Sequence, residues 1–200
     1  MQLLVATGNP GKLQEYRELL ADLPVEWLSL QDAGLADMDV EETGRSFEEN
    51  ARLKASAYHA ASGLLTLADD SGLVVDALGG APGIYSARYG APEAKTDEDR
   101  YTKLLSALEN VPDNQRRAHF VCIIAIAAPG FPLQTVEGRV AGHIARAPRG
   151  SHGFGYDPVF VTEDGRTAAE LPPEEKHRIS HRGEALRAAL PVLKRITGTG

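Results

Sequence analysis

What most constrains this chain is the order in which extended and helical patterns follow one another. Residues 2–6 read as a short buried strand and residues 7–11 as turn chemistry. Residues 12–23 read as a helix, with Leu13, Tyr16, Leu19, Leu20 and Leu23 at helical spacing. A second strand is expected over 25–30. A second helix starts near Ser46, where Ser46 and Glu49 have capping-box spacing, and Gly63 is its stop. Residues 64–68 read as a strand whose carboxyl end carries Asp69, Asp70, Ser71 and Gly72. Residues 73–78 continue extended, and 79–83 form a loop. Thr96, followed by Asp97, Glu98 and Asp99, opens a third helix that buries Tyr101, Leu104, Leu105 and Leu108. Residues 120–128 are the most strand-like run, and 129–132 turn them into an antiparallel partner at 133–141. After a glycine-rich loop at 148–157, Ser180 caps a last helix reaching about Arg195. Pro191 should kink or shorten that helix, and the tail 197–200 should fray. Early alternation followed by a hairpin predicts an α/β fold, a mixed sheet with helices on its faces, in one domain over 1–200.

Composition narrows the function. Of 200 residues, 42% are hydrophobic, enough for a full core and against disorder. The 28 acidic and 21 basic side chains give a net charge of −7, which argues against a general nucleic-acid binder. A local basic pocket for one phosphate chain stays compatible with it. The single cysteine, Cys122, forms no intrachain disulfide and reads as a small core residue. Residues 1–7 lack a basic start and a long apolar stretch, so no signal peptide is expected. No run approaches the ~20 apolar residues of a membrane helix, and the expected location is the cytoplasm.

Three segments carry chemistry. Thr7, Gly8, Asn9, Pro10, Gly11 and Lys12 lie between a strand and a helix start. Glycines let a backbone approach a ligand, and amides at a helix amino end attract phosphate oxygens. The segment is a triphosphate cradle or an ordinary βα turn. Its spacing is not that of a Walker loop. Asp69 and Asp70 are hard oxygen donors, as are Glu41 and Glu42, and no CxxC or HExxH pattern suggests zinc. Such donors suit Mg²⁺ bridged to substrate phosphates; equally, Asp69 or Asp70 caps a turn, and Glu48 and Glu49 serve a helix dipole. Phe154, set between Gly153 and Gly155 and followed by Tyr156 and Asp157, is a stacking platform for a base or a core anchor. Lys176 is a ligand group or a solvated charge. His181 and Arg182 fall in a first helical turn, where cations oppose the dipole, a misfit expected at functional sites.

Together these motifs closely resemble the inosine triphosphate pyrophosphatase family. They are Thr7-Gly8-Asn9-x-x-Lys12, Glu41-Glu42-Thr43-Gly44 with Phe47-Glu48-Glu49-Asn50-Ala51, and Ala68-Asp69-Asp70-Ser71-Gly72-Leu73. The run from Leu78 to Tyr89, Gly153-Phe154-Gly155-Tyr156-Asp157-Pro158 and Ser180-His181-Arg182 complete the set, which spans nearly the whole chain. The resemblance implies a three-layer α/β/α arrangement around a long, curved mixed sheet, a homodimer, and a Mg²⁺ requirement. It implies conversion of a non-standard purine nucleoside triphosphate to monophosphate and pyrophosphate. By the same resemblance, Thr7 to Lys12 cradle phosphate, and Asp70 is the proton acceptor and a metal ligand alongside Glu41. Ser71 contacts substrate, and Phe154, Gly155, Tyr156, Asp157, Lys176, His181 and Arg182 form the nucleoside pocket. The segment from Ser86 to Tyr89 has no role that the sequence supplies.

The implied chemistry has water attacking the α-phosphorus, with Asp70 orienting it and Lys12 and Mg²⁺ neutralising the leaving group. Hypoxanthine and xanthine present an oxygen at C6 where adenine presents an amino donor. A pocket with donors there, Arg182 among them, accepts the first two and rejects adenine. Two rivals stand beside this reading. One is a pyrophosphatase for pyrimidine or modified-base triphosphates; the other is a nucleotide-binding module without catalysis.

Overall fold

The computed structural model describes residues 1–21 and 23–198. Strands β1 (Gln2–Val5), β2 (Glu26–Ser29), β3 (Leu65–Val75), β4 (Arg117–Ala128), β5 (Phe131–Ile144) and β6 (Phe160–Val161) form one six-stranded sheet in the order β2-β1-β3-β4-β5-β6. β1 pairs in parallel with both β2 and β3, while β5 and β6 pair antiparallel, so the sheet is mixed. The helices are α1 (Pro10–Leu19), α2 (Phe47–Ser62), α3 (Asp97–Ala107), α4 (Pro173–Ile179) and α5 (His181–Thr197). The expected α/β class with a mixed sheet is what the chain adopts.

Most element ends obey local chemistry. Ser46 caps α2 by accepting from Glu49 N at 3.1 Å, and Gly63 closes it with φ of 70°, a conformation a Cβ would strain. Glu49 reaches back one residue further than a capping box, to Arg45 N at 2.6 Å. α3 starts on a complete Thr96–Asp99 box. Gly130, with φ of 76°, makes the tight turn between β4 and β5.

Two expectations are corrected, and one helix is added. β3 does not end at Ala68; it continues through the acid pair to Val75. The polar run reads as a strand terminus, but cationic side chains distant in sequence meet each acid. α4 lies where the sequence pattern assigned no element; it starts on Pro173, and proline at the first helical position needs no N–H and is well tolerated there. Pro191 does not shorten α5, which runs on to Thr197. Of the expected frayed tail, Thr199 and Gly200 lie outside the described residues, as does Asp22 near the end of the first predicted helix.

The chain divides into two compact units. Unit 1 holds residues 1–70, 122–138 and those from Arg182 on; unit 2 holds residues 71–121 and 139–181. In unit 1, Leu3 and Val5, Leu65 and Leu67, and Cys122, Ile124 and Ile126 alternate onto one sheet face. Tyr16 of α1, Leu20 at its carboxyl cap, and Ala185, Leu186, Ala189 and Leu193 of α5 cover that face. The opposite parity, Leu4, Thr66 and Ala68, is also fully buried, and α2 supplies buried Ala51, Ala55 and Tyr58.

Unit 2 has its own core of Leu73, Val75, Leu104, Leu108, Phe120, Ile144, Val159 and Phe160. Arg116 is buried there and donates to the carbonyls of Leu108, Ile144 and Ala145 at 2.6–2.8 Å. The segment from Ser86 to Tyr89 has a structural task in this unit. Ser86 Oγ accepts from Leu73 N at 2.9 Å and donates to Gly83 O at 2.7 Å. Gly142 of β5 is a point of close backbone approach. A Cβ there would meet Val161 O at 2.3 Å and the Phe160 ring at 2.7 Å. Gly142→Ala is therefore expected to destabilise the protein by about 1–3 kcal/mol through overpacking. Urea denaturation checks this; an unchanged midpoint would show that β6 yields freely.

Candidate active site

The site elements of unit 1 begin at the glycine turn. Asn9 caps α1, its Oδ1 accepting from Lys12 N at 3.1 Å, and Thr7 Oγ1 accepts from Asn9 N at 3.2 Å. Gly8, Asn9 and Pro10 are exposed, and the space where a Gly8 Cβ would sit is open. Pro10 has no N–H and Lys12 N is taken by Asn9. The Gly11 N–H, for which no partner is seen among the described residues, is thus the first-turn donor left for a ligand.

Lys12 ties this turn to the acid pair, its Nζ lying 2.8 Å from Asp69 Oδ2. Arg182 joins the same cluster: one guanidinium nitrogen bonds Glu15, and another is 3.9 Å from Asp69 Oδ2. The expected misfit of a cation in the first turn of α5 is resolved by burial beside carboxylates. Arg182 is 2% exposed, and Glu15 and Asp69 compensate its desolvation. Glu15 was not singled out in the sequence.

Asp70 faces elsewhere, because successive side chains of a strand point to opposite faces. Its Oδ2 accepts from Asn50 Nδ2 at 3.2 Å and its Oδ1 lies 3.4 Å from Lys54 Nζ. Lys54 also bonds Glu42 Oε1 at 2.6 Å, which sets one ammonium group against two carboxylates. Lys54 was overlooked at the sequence level. The signal for it was Asn50 and Lys54 four residues apart, a polar pair on one face of α2. Glu41, the expected second metal ligand, is exposed; it is Glu42 whose side chain meets Lys54.

These neighbourhoods split the two acids electrostatically. Burial opposes ionisation of Asp69, but Lys12, Arg182 and Lys54 outweigh it and hold its carboxyl well below the usual range. For Asp70, burial and Glu42 prevail over Lys54 and Lys12 and raise the carboxyl above its usual value. Burial, reinforced by Asp69, pushes the Cys122 thiol up to about 12, which suits an inert core residue rather than a nucleophile.

The Lys54 ammonium stands between the carboxylates of Asp70 and Glu42. Asp69 Oδ1 is buried with no hydrogen-bond partner among the described residues. No group of three or more His, Cys, Asp or Glu side chains able to hold a metal occurs among the described residues. Asp70 and Glu42, drawn to one ammonium group, are hard oxygen donors of the kind that suit Mg²⁺ together with water and phosphate.

Unit 2 assembles the aromatic loop. Asp157 Oδ2 accepts from Lys176 Nζ at 2.6 Å and from Phe154 N at 2.9 Å. Lys176 Nζ stands 5.0 Å from the Phe154 ring centre, and Tyr156 donates to Ser86 O at 2.8 Å. Lys176 is buried, not a solvated charge. A Cβ on Gly153 would lie 2.1 Å from Asp157 Oδ2, so this glycine leaves room for the ion pair. His181 stacks on Phe120 at 4.6 Å, and a recess lined by Phe120, Asp157, Phe160, Lys176 and His181 opens there. Gly155 is bonded to Asp97, and Ser71 is half-buried in β3. The structure thus gathers Phe154, Gly155, Tyr156, Asp157, Lys176 and His181 in unit 2. Thr7 to Lys12, Asp70 and Arg182 are gathered in unit 1.

The profile of the Ham1 family matches residues 3–192. The dITP/XTP pyrophosphatase of Bacillus subtilis (strain 168) is 46% identical over 194 residues, which cover 96% of this chain and 97% of that one. The dITP/XTP pyrophosphatase of Geobacter sulfurreducens is 54% identical over 187 residues, 92% of each chain. Among solved structures, the Ham1 protein of Staphylococcus aureus superposes with a TM-score of 0.86 at 40% identity, covering 97% of this chain and 98% of that one.

The split between the two acids has opposite consequences for stability. Asp69, with its lowered folded value, contributes stability above the unfolded value near 4, and loses it as pH falls below that. Asp69→Asn should cost about 3 kcal/mol at pH 7, since it leaves buried cations less compensated, and the deficit should shrink below pH 4. Asp70, with its raised folded value, subtracts stability as pH rises past the unfolded value near 4, the loss being complete above the folded value. Asp70→Asn should leave the melting temperature at pH 7 unchanged or higher. Thermal melts of the metal-free protein from pH 3 to 8 check both; equal losses in the two variants would refute the split.

Proposed function

The chain belongs to the Ham1 family, and from that premise we propose that it hydrolyses non-standard purine nucleoside triphosphates (ITP, dITP and XTP) to monophosphate and pyrophosphate, keeping them out of DNA and RNA. What carries the reading is the Lys12–Asp69 ion pair, which ties the exposed glycine turn to the acid pair within unit 1. An exposed helix amino end with a lysine and a free amide is a site for phosphate oxygens. A second carboxylate, on the next strand residue, is then available for water.

In the proposed reaction, Asp70 accepts a proton from water as its oxygen bonds the α-phosphorus, and the bond to the β-phosphate oxygen breaks. Lys12 and the Gly11 amide stabilise charge growing on the departing pyrophosphate. Thr7, Gly8, Asn9 and Pro10 shape this cradle, and Ser71 contacts the substrate. Mg²⁺ held by Asp70 with Glu41, or with its neighbour Glu42, would supply further neutralisation of the phosphate chain. Phe154, Gly155, Tyr156, Asp157, Lys176 and His181 would hold the nucleoside, and Arg182 would offer donors to a C6 oxygen. A base bearing an amino group there leaves buried donors unmet, which rejects adenine. The homodimer and the cytoplasmic location implied by the family resemblance complete the proposal. No helix among the described residues is long and apolar enough to cross a membrane.

Pyrophosphate release should be rapid on inosine triphosphate, slow on ATP and GTP, and abolished by EDTA. Asp70→Asn should lower kcat by about 10²-fold with the fold retained. A panel in which UTP or dTTP is the better substrate would favour the pyrimidine rival, and tight nucleotide binding without release would favour the non-catalytic one. Near-normal turnover in Asp70→Asn would remove that residue from its role.

A further inference from the structure

α3 begins with an acidic side chain that its own cap does not use. Thr96 Oγ1 accepts from Asp99 N at 3.1 Å and Asp99 Oδ2 accepts from Thr96 N at 2.8 Å, which completes the cap reciprocally. Asp97, one residue into the helix, reaches outward instead. Its Oδ2 accepts the N–H of Gly155 at 2.7 Å, from 58 residues away in the chain. Its Oδ1 takes a guanidinium N–H of Arg100 at 3.0 Å, and Arg100 also donates to Lys95 O at 3.2 Å. The carboxylate is thus braced from behind.

The loop it holds would otherwise be loose. Gly153 and Gly155, with φ of 77° and 64°, flank Phe154, and a residue between two such glycines has a wide range of backbone conformations. Two adjacent amides of this loop each donate to a carboxylate: Phe154 N to Asp157 at 2.9 Å and Gly155 N to Asp97. Asp157 belongs to the loop itself, whereas Asp97 anchors it to a regular helix. Hydrogen bonds to charged acceptors are about twice as strong as neutral ones. The Gly155 bond therefore removes backbone freedom that a ligand would otherwise have to remove on binding.

We infer that Asp97 is a positioning residue for nucleobase recognition, fixing the Phe154 ring and the Tyr156–Asp157 backbone through the Gly155 amide without touching the base. This rests on the proposed reading that the aromatic loop holds the nucleoside. The competing role is purely helical, an acid near the amino end of α3 favoured by the dipole.

Asp97→Ala and Asp97→Asn separate the two roles, because asparagine keeps an acceptor for Gly155 while both substitutions remove the charge. Three quantities are read on the full chain: KM and kcat for pyrophosphate release from inosine triphosphate, the Kd of inosine monophosphate by calorimetry, and the melting temperature. Asp97→Ala should raise KM and Kd about tenfold with kcat within about twofold, and Asp97→Asn should recover most of that affinity. Equal falls in melting temperature for both variants, with KM and Kd unmoved, would overturn the inference in favour of the helical role. Wild-type protein that binds inosine monophosphate without releasing pyrophosphate would sink the catalytic reading and leave Asp97 judged by Kd alone. Wild-type protein that neither turns over nor binds would overturn both.

Discussion

The alternation of side chains along β3 is the constraint on which the unit 1 site depends. Two successive aspartates in the interior of a strand cannot share one environment. Asp69 enters the layer covered by α1 and α5, where Lys12 and Arg182 meet it; Asp70 enters the layer covered by α2, where Asn50 and Lys54 meet it. One backbone step thus yields a carboxylate locked in its charged form and a neighbour whose charge is resisted by burial. Acid–base chemistry uses such pairs, with one group fixed and the other free to take a proton.

Burying so many charges is tolerable only because each finds a partner. Arg182, Glu15, Lys12 and Asp69 form one chain of compensation, and Lys54, Glu42, Asp70 and Asn50 form another. Removing a member of the first leaves an opposite charge in a desolvated place, which is more damaging than never having had the pair; in the second, Lys54 keeps Glu42 when Asp70 is neutralised. The same logic holds in unit 2, where Lys176 and Asp157 are both buried and bonded at 2.6 Å. The polar groups expected to handle a nucleotide are thus held in fixed positions by their mutual bonds.

Features governed by neighbours in sequence were legible before the fold was known. Asn9 and Lys12 at a glycine turn, Ser46 and Gly63 bounding α2, and the Thr96 cap of α3 are set by residues within four positions, and each stands where its local chemistry demands. What escaped was set at long range. The acids of β3 read as a strand end because the cations that allow them mid-strand come from α1, α2 and α5. Asp97 read as one more helix-dipole acid because Gly155 is 58 residues on. Lys54 was hidden for the same reason, its partners lying on the segment before α2 and on β3. By contrast, the site motifs were recognisable as a set, by their order and spacing along this chain.

The opposition of Asp69 and Asp70 is open to direct measurement by carbon-detected NMR titration of the aspartate carboxyls in metal-free, nucleotide-free protein. Asp70 should titrate above the ordinary value of 3.8 and Asp69 well below it. Two carboxyls titrating together, or in the reverse order, would contradict the account.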